Sequence, residues 1–293
     1  MKQPLRWFIA VLLLVIAVFS AMWWVNSSRV SREDRVVRTR GSANGLSLVS
    51  WNACNFGKSK SAETLVSMAR ILRDDDIVAL QEVSTGDAGA KAVAALSDEL
   101  NRTGAKWDYI VSDPTIGPGT ERFAFLFKTG KVWINRRDCR LAVSLRDVLD
   151  REPAIMTFHA GGKTFDVVSF HLCPDERRKG KDPRREVAAI GENPKELLGR
   201  PMILVGDFNL GHRDLDGVFE RVLGGRHVIE GKTSLKAKSG KRGEYLNKEF
   251  DNVYVRGMSV VSSSIDDIVP SEGGLEKTRM LSDHLPVRVV FVP

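Results

Sequence analysis

From residue 46 onward, short apolar runs alternate with polar, glycine-containing segments, a pattern typical of a folded α/β domain. Three helices are predicted. The first follows Ser61, a suitable N-cap, the second covers the alanine-rich segment 88–100, and the third starts at Asp182 and runs towards Leu198. The runs that predict strands are 46–51, 77–80, 122–127, 154–158, 164–170, 201–205, 250–255, 259–265 and 286–292, with a hairpin turn at 161–162. Many strands with few helices between them favour a four-layered α/β sandwich of two packed mixed sheets flanked by helices.

The first 25 residues have a different pattern. Trp7 to Val25 contains no charged residue, and 19 residues at about 1.5 Å each nearly match the roughly 30 Å hydrocarbon core of a bilayer. We expect residues 1–25 to form one N-terminal transmembrane helix, an anchor or uncleaved signal that contacts the membrane through residues 7–25. A cleaved signal peptide is the alternative, but the apolar stretch exceeds the usual h-region of about 7–15 residues. Residues 26–45 are predicted to be a basic juxtamembrane linker, and residues 46–293 a single domain.

The positive charge of the chain is concentrated near its start. The formal net charge is +7, from 44 Lys and Arg against 37 Asp and Glu. Residues 1–45 hold seven basic and two acidic residues, which leaves 37 basic against 35 acidic residues for the rest. The predicted domain is therefore nearly neutral, and the arginines after the apolar stretch suit anionic lipid head groups.

Polar side chains stand where several predicted strands end. The clearest cases are Asn52, Glu82, His171, Asp207 and the terminal Ser-Asp-His sequence at 282–284. Strands hold such groups in place while the following loops leave them open to substrate, so this pattern is typical of a catalytic rim. We therefore expect an enzyme.

Six sequence stretches extend this pattern in a fixed order along residues 46–293. They are Trp51–Gly57, Ile77–Val83, Glu121–Phe127, Arg151–Ala154, Gly206–Asn209 and Ser282–His284. In this order they resemble the endonuclease/exonuclease/phosphatase superfamily and, within it, the deoxyribonuclease I-like nucleases. The resemblance implies divalent-metal-dependent hydrolysis of phosphate esters, with Mg²⁺ as the cofactor and Mn²⁺ or Ca²⁺ as alternatives.

The resemblance also implies roles for individual residues. The implied metal ligands are Asn52 and Glu82, with Asp283 on the opposite side, and the implied catalytic residues are Glu121, His171, Asp207, Asn209, Asp251 and His284. In this scheme Glu121 orients His171, and Asp251 orients His284. Asp207 and Asn209 bind a second ion or hold the attacking water, and Arg151 contacts the phosphate. A carboxylate behind an imidazole fixes its tautomer and stabilises its charged form, which suits proton transfer; which ring is the base stays open.

Two basic clusters near the predicted site suggest a polyanionic substrate. They lie at 177–185 and 232–242 and could contact successive phosphates. The leading hypothesis is a monomeric, membrane-tethered DNA endonuclease of low sequence specificity, with no protein partner. The alternatives are a phospholipid or inositol-phosphate phosphodiesterase or phosphatase, and a non-catalytic nucleic-acid-binding module. The last is disfavoured because every matched catalytic position is retained.

Three further features bear on these hypotheses. Ser84 and Gly119 stand where pancreatic-type relatives carry an arginine and a tyrosine that enter the DNA minor groove, so engagement of duplex DNA is expected to differ. Basic residues flank the apolar stretch on both sides, and we expect an extracytoplasmic domain because a nuclease facing its own genome would be hazardous. His159, His212 and His227 match no motif and are expected to have no catalytic role, and the three cysteines are expected to be buried small residues or free thiols.

Overall fold

The computed structural model describes residues 45–293. The predicted membrane segment and all but the last residue of the predicted linker lie outside this range. Within residues 45–293, no helix is both long and apolar enough to cross a bilayer.

Strands and helices are numbered here in chain order. The strands are β1 (Leu46–Phe56), β2 (Ile77–Val83), β3 (Trp107–Val111), β4 (Arg122–Lys128), β5 (Trp133–Ile134), β6 (Arg140–Leu141), β7 (Ala154–Ala160), β8 (Lys163–His171), β9 (Met202–Asp207), β10 (Arg226–His227), β11 (Asp251–Arg256), β12 (Ser259–Ile265) and β13 (Val287–Val292). The α-helices are α1 (Ala62–Leu72), α2 (Asp87–Asn101), α3 (Pro183–Glu192), α4 (His212–Phe219) and α5 (Leu275–Leu281).

The strands form two mixed sheets, as predicted. The first has the order β12-β13-β1-β2-β4-β3, and the second has the order β10-β11-β9-β8-β7-β5 with β6 paired to β7. One pair in each sheet is parallel, β1 with β2 in the first and β8 with β9 in the second. A parallel pair needs a crossover connection, and here α1 and α3 provide it. Each sheet therefore contains one βαβ unit.

Three apolar clusters define the layers. Phe125, Phe158, Phe165 and Phe291 belong to the cluster between the sheets, where their rings make mostly edge-to-face contacts. A second cluster packs α1 and α2 against the outer face of the first sheet, and a third packs α3 and α4 against the outer face of the second sheet. The flanking helices leave the strand ends uncovered, and the polar residues lie at those ends.

Local sequence signals explain several element boundaries. Ser61 caps α1 by accepting a hydrogen bond from Thr64 N–H at 3.2 Å, which confirms the predicted N-cap. Gly161 and Gly162 have φ values of +54° and +76° and make the predicted turn between β7 and β8. The helix starting after Asp182 stops at Glu192, short of the predicted Leu198. The reason is the proline at position 194, which disfavours helical backbone in the residue before it.

Gly206 is a tightly packed glycine next to one of the polar strand ends. It lies in β9 directly before Asp207, its φ is +134°, and a Cβ atom there would overlap the carbonyl oxygen of Phe170 in β8. We predict that Gly206→Ala lowers the free energy of unfolding by at least about 2 kcal/mol, because the backbone strain and the overlap cannot both be relieved. Chemical denaturation of the full chain measures this. The matched control is Gly130→Ala, at an open position, which should change stability by no more than about 0.5 kcal/mol. Equal stability of the two variants would contradict the account.

Candidate active site

The two parallel strand pairs deliver four polar side chains to one edge of the molecule. In the first sheet Asn52 is paired with Gln81, so Glu82 follows one position later. In the second sheet His171 and Asp207 are paired and end their strands. Strands of a parallel pair end at the same edge, so each pair presents its polar groups together.

These side chains meet at one carboxylate oxygen. Asp207 Oδ2 accepts a hydrogen bond from Asn52 Nδ2 at 3.0 Å, and it lies 3.7 Å from His171 Nε2 and 3.6 Å from His284 Nε2. Asn52 Nδ2 also donates to Glu82 Oε1 at 3.0 Å. Residues separated by more than two hundred positions therefore share one cleft.

Each histidine is held by a carboxylate on its other nitrogen. His171 Nδ1 is 2.8 Å from Glu121 Oε2, and His284 Nδ1 is 2.7 Å from Asp251 Oδ2. An ionised carboxylate only accepts hydrogen bonds, so Nδ1 carries the proton in both rings and Nε2 faces Asp207. The rings are therefore arranged as the resemblance implied.

The charges around the rings change their acidity. Burial alone lowers the pKa of His284, but Asp251 and Asp207 outweigh burial and raise this pKa to about 10. For His171, burial again lowers the pKa, while Glu121 and Asp207 raise it further than burial lowers it. Nearby Arg151 opposes that rise. Without a bound cation, the His284 ring is therefore positively charged at neutral pH, and the pKa of His171 is shifted in the same direction.

The backbone is unusual at the same place. Within residues 45–293, the non-glycine residues with positive φ are Cys54, Asn55, Glu82 and Asn209. All four lie at the ends of β1, β2 and β9, where the site is built. Left-handed backbone costs about 1–3 kcal/mol for most non-glycine residues and tends to persist where function needs it. Glu82 illustrates this, since its φ of +60° is rare for a long side chain and accompanies a carboxylate facing the cleft.

Buried hydroxyl and indole groups fix the ring of His284 and the strand beside it. Ser282 Oγ donates to the carbonyl of Asn52 at 2.6 Å and accepts from His284 N–H at 2.9 Å. Trp51 Nε1 donates to the carbonyl of His284 at 2.8 Å. Thr233 Oγ1 accepts from Asp251 N–H at 2.9 Å, which holds the partner carboxylate. Sequence reasoning missed Ser282 and Thr233 as supports, although Ser282 belongs to the terminal motif.

The predicted metal ligands do not occupy equivalent positions. Glu82 faces the cleft, but Asn52 directs its amide nitrogen to the carboxylates because Cys54 N–H takes its oxygen at 3.0 Å. Asp283 lies at the rim, with a side chain 37% exposed and 3.8 Å from Arg279. Two carboxylates, Glu82 and Asp207, thus converge on a single amide nitrogen. Carboxylate oxygens are suitable ligands for a hard divalent cation, so Glu82 and Asp207 fit the implied metal. Asp283 adds a further negative charge near this position.

Arg151 has contacts that differ from the predicted phosphate contact. Its Nε forms an ion pair with Glu121 Oε2 at 2.8 Å, and its Nη1 donates to Asp150 Oδ2 at 3.2 Å. Its loop is fixed by Glu186, which accepts hydrogen bonds from the backbone N–H groups of Asp150 and Cys173 at 2.5 and 2.7 Å. Arg151 therefore supports the Glu121–His171 pair from behind. No sequence signal pointed to Glu186.

Asn209 and Cys54 complete the description of the site. Asn209 N–H donates to Asp207 Oδ1 at 2.9 Å, and its amide nitrogen donates to the carbonyl of Leu172 at 2.9 Å, so it orients Asp207. The Cys54 thiol lies at the mouth of the cleft. Burial first, and then Asp283 and Glu82, raise its pKa to about 11. Cys54 is a half-buried free thiol, and its raised pKa favours the protonated form.

Comparison of the sequence with known protein families gives a match over most of the chain. The sequence profile of the Endonuclease/Exonuclease/phosphatase family matches residues 49–287. No curated protein matches the chain.

Solved structures share the fold at low sequence identity. TDP2 of D. rerio, complexed with single strand DNA product, has a TM-score of 0.60 at 15% identity, over 85% of this chain and 99% of that one. A mannosyl-6-phosphatase of Bacteroides thetaiotaomicron has a TM-score of 0.56 at 16% identity, over 85% and 100%. A family protein of Leptotrichia buccalis has a TM-score of 0.55 at 17% identity, over 83% and 98%.

The profile match includes every residue that meets in the cleft. Members of the matched family are phosphoester hydrolases and generally use divalent metal ions. Because the match spans most of the chain and its two mixed sheets, the protein belongs to the endonuclease/exonuclease/phosphatase family.

Proposed function

We propose that this protein is a divalent-metal-dependent phosphodiesterase that cleaves DNA with low sequence specificity. In this proposal it acts as a monomer, tethered to a membrane by residues 7–25, with its catalytic domain on the extracytoplasmic side. The observation that carries the proposal is the convergence of two carboxylate-oriented imidazoles on Asp207 beside Glu82. A phosphodiester is anionic, and a cleft with a charged His284 ring, a second imidazole and a pair of carboxylates that can hold a cation is suited to neutralise it.

The proposed roles follow from charge and position. Glu82 and Asp207 would hold the cation, which would supply positive charge to stabilise the charge that develops on the phosphoryl oxygens. One of the two imidazoles, His171 or His284, takes the proton that the attacking water loses, and the other donates a proton to the leaving oxygen, each ring being oriented by the carboxylate on its Nδ1. Asp207, oriented by Asn209, is the acceptor that holds the attacking water.

The two basic clusters differ in a way that bears on the substrate. In the first cluster Arg177, Lys179, Lys181 and Arg184 are all paired with carboxylates at 2.8–3.2 Å. In the second, none of the Lys and Arg side chains of 232–242 has a carboxylate within 4.0 Å among the described residues. Among the described residues, Arg178 and Arg185 of the first cluster likewise have no carboxylate within 4.0 Å, so the second cluster carries most, but not all, of the available positive charge.

A cavity connects that charge to the site. It measures about 410 Å³ and is lined by Asn209 and Phe250, by the basic residues Arg184, Lys232 and Lys248, and by the acidic residues Asp175, Asp214 and Glu249. Lys248 Nζ lies 5.5 Å from the ring centre of Phe250, and that ring stacks 6.4 Å from His284. An aromatic face and two lysines beside the catalytic ring suit a nucleotide next to the scissile phosphate. The D. rerio neighbour with a single-strand DNA product supports a nucleic-acid substrate.

Supercoiled plasmid tests the proposal directly. The full chain in detergent with Mg²⁺ or Mn²⁺ should nick the plasmid, and EDTA should abolish nicking because the cation is removed. His171→Ala and His284→Ala should each reduce the rate by at least about 10²-fold. The control is His159→Ala, whose ring stacks on the exposed Trp133 and should not affect the rate.

Other substrates define the competing outcome. The mannosyl-6-phosphatase neighbour and the predicted anchor favour a small phosphate ester or phospholipid as the second candidate. Intact plasmid together with hydrolysis of a sugar phosphate, inositol phosphate or phospholipid would replace DNA as the substrate and keep the chemistry. Binding of DNA with no hydrolysis of any ester would leave only a binding module.

The acidity of His284 gives a second prediction, for the metal-free protein in EDTA. Asp251→Asn should lower the pKa of His284 from about 10 to its ordinary value of about 6.5 or below, because burial then opposes a weaker attraction. Histidine NMR titration measures this. Glu121→Gln is the matched control, since it should lower the pKa of His171 and leave His284 high. A pKa near 10 for His284 in Asp251→Asn would contradict the assigned pairing.

The difference between the basic clusters predicts a difference in salt dependence. In the inactive His284→Ala chain, replacing Lys232 and Lys248 with glutamine should reduce the slope of log affinity for single-stranded DNA against log salt by about 1.4, or about 0.7 per lost contact. The control replaces Arg177 and Lys179, which are already paired, and should leave the slope nearly unchanged. Equal effects of both pairs would contradict the assigned path of the nucleic acid.

A further inference from the structure

Two histidines that match no catalytic motif lie together with a glutamate outside the cleft. His212 is the first residue of α4, His227 is in β10, and Glu249 precedes β11 by two positions. One nitrogen or oxygen atom from each side chain lies within 4.8 Å of the others, and all three residues are half-buried. Three separate segments of the chain thus bring two imidazoles and a carboxylate within 4.8 Å of one another.

A buried amide fixes the protonation of His227. Asn252 is fully buried and donates its amide N–H to the carbonyls of Leu210 and Phe250 at 3.1 and 3.4 Å. Its Oδ1 therefore faces His227 Nε2 at 3.0 Å as an acceptor, so Nε2 carries the proton. Nδ1 of the neutral ring then has a lone pair, and no donor reaches it among residues 45–293. An imidazole whose other nitrogen donates to a fixed oxygen is the usual arrangement for a metal ligand.

Glu249 is held beside His212 by two hydrogen bonds. Its Oε1 accepts from the backbone N–H of His212 at 2.8 Å and from the ring Nδ1 at 2.6 Å. Within the described part of the chain its Oε2 has no hydrogen-bond donor. The carboxylate is therefore in place before any ion arrives, and one of its oxygens is open.

Binding of a metal ion by both histidines requires one ring to move. His212 and His227 stack with centroids 4.6 Å apart and planes inclined by 14°. Lone pairs lie in the ring planes, so nearly parallel rings cannot both point at one ion. The side chains of His212 and Glu249 are 25% and 23% exposed, so the His212 ring has room to turn out of the stack.

We infer that His212, His227 and Glu249 form a second metal site, of the Zn²⁺ type, distinct from the position between Glu82 and Asp207, with Glu249 also lining the cavity beside Phe250. Two imidazole nitrogens and one carboxylate oxygen are a ligand set that Zn²⁺ takes, with a further position left for water. Mg²⁺ prefers oxygen ligands, so the site discriminates against the ion expected in the cleft. Glu249 stands two residues before Asp251, which holds His284, so a bound ion ties that segment to α4 and β10.

Zinc stoichiometry tests the inference on the full chain in detergent after removal of metals with EDTA. The wild-type chain should bind one more equivalent of Zn²⁺ than His227→Ala or Glu249→Gln, or bind that equivalent at least about 10-fold more tightly. Co²⁺ should give a visible absorption band for this site in the wild type that both variants lose. Zn²⁺ should also raise the melting temperature of the wild type more than that of either variant.

The controls separate this site from the cleft and from misfolding. His159→Ala should bind as many equivalents as the wild type, and Glu82→Gln should keep the second-site absorption band. If His227→Ala does not fold, His227→Gln keeps a donor for Asn252 and serves in its place. Equal zinc stoichiometry and affinity in the wild type and in the folded His227 and Glu249 variants would overturn the inference.

Discussion

The site depends on one buried carboxylate, Asp207, to which one amide and two imidazoles are directed. Each of these groups comes from a different strand end, and each is within 3.0–3.7 Å of the same oxygen. The arrangement requires that the two parallel strand pairs end at one edge and that the sheets pack face to face. Two βαβ crossovers, through α1 and α3, satisfy the first requirement, and the phenylalanine-rich core satisfies the second. The fold therefore brings the carboxylates of Glu82 and Asp207 and the rings of His171 and His284 into one cleft.

Holding these groups together costs stability locally, and the structure offsets that cost with buried hydrogen bonds. Four non-glycine residues have left-handed backbone at the site, and Asp251 Oδ1 is buried without a hydrogen-bond partner. Against this, Ser282, Trp51 and Thr233 fix the His284 side of the cleft, while Arg151 and Glu186 fix the His171 side. The raised histidine pKa values come from the same crowding of carboxylates. The crowding that strains the site therefore also sets the acidity of its two imidazoles.

Sequence patterns predicted much of this arrangement, but not all of it. Long strands such as β1 and β13, and capped helices such as α1, follow from apolar periodicity and from Ser61. The short strands β5, β6 and β10 contain two residues each, too few to show a period, and α4 and α5 are short helices that were likewise not predicted. The motif residues that meet at Asp207 could be named because they end strands in a known order. The contacts of Arg151 and the amide orientation of Asn52 could not, because Arg151 donates a hydrogen bond to Asp150 and Asn52 accepts one from Cys54 N–H, and only folding creates these contacts.

The proposed chemistry depends on a divalent cation that Glu82 and Asp207 bind together. Calorimetric titration of the metal-free full chain with Mn²⁺ tests it without reference to any substrate. The account predicts that Glu82→Gln weakens Mn²⁺ binding at least about 10-fold, because the charged ligand that faces Asp207 is lost. Glu63→Gln, at an exposed position in α1, should bind Mn²⁺ as the wild type does. Unchanged Mn²⁺ affinity in Glu82→Gln would contradict the account.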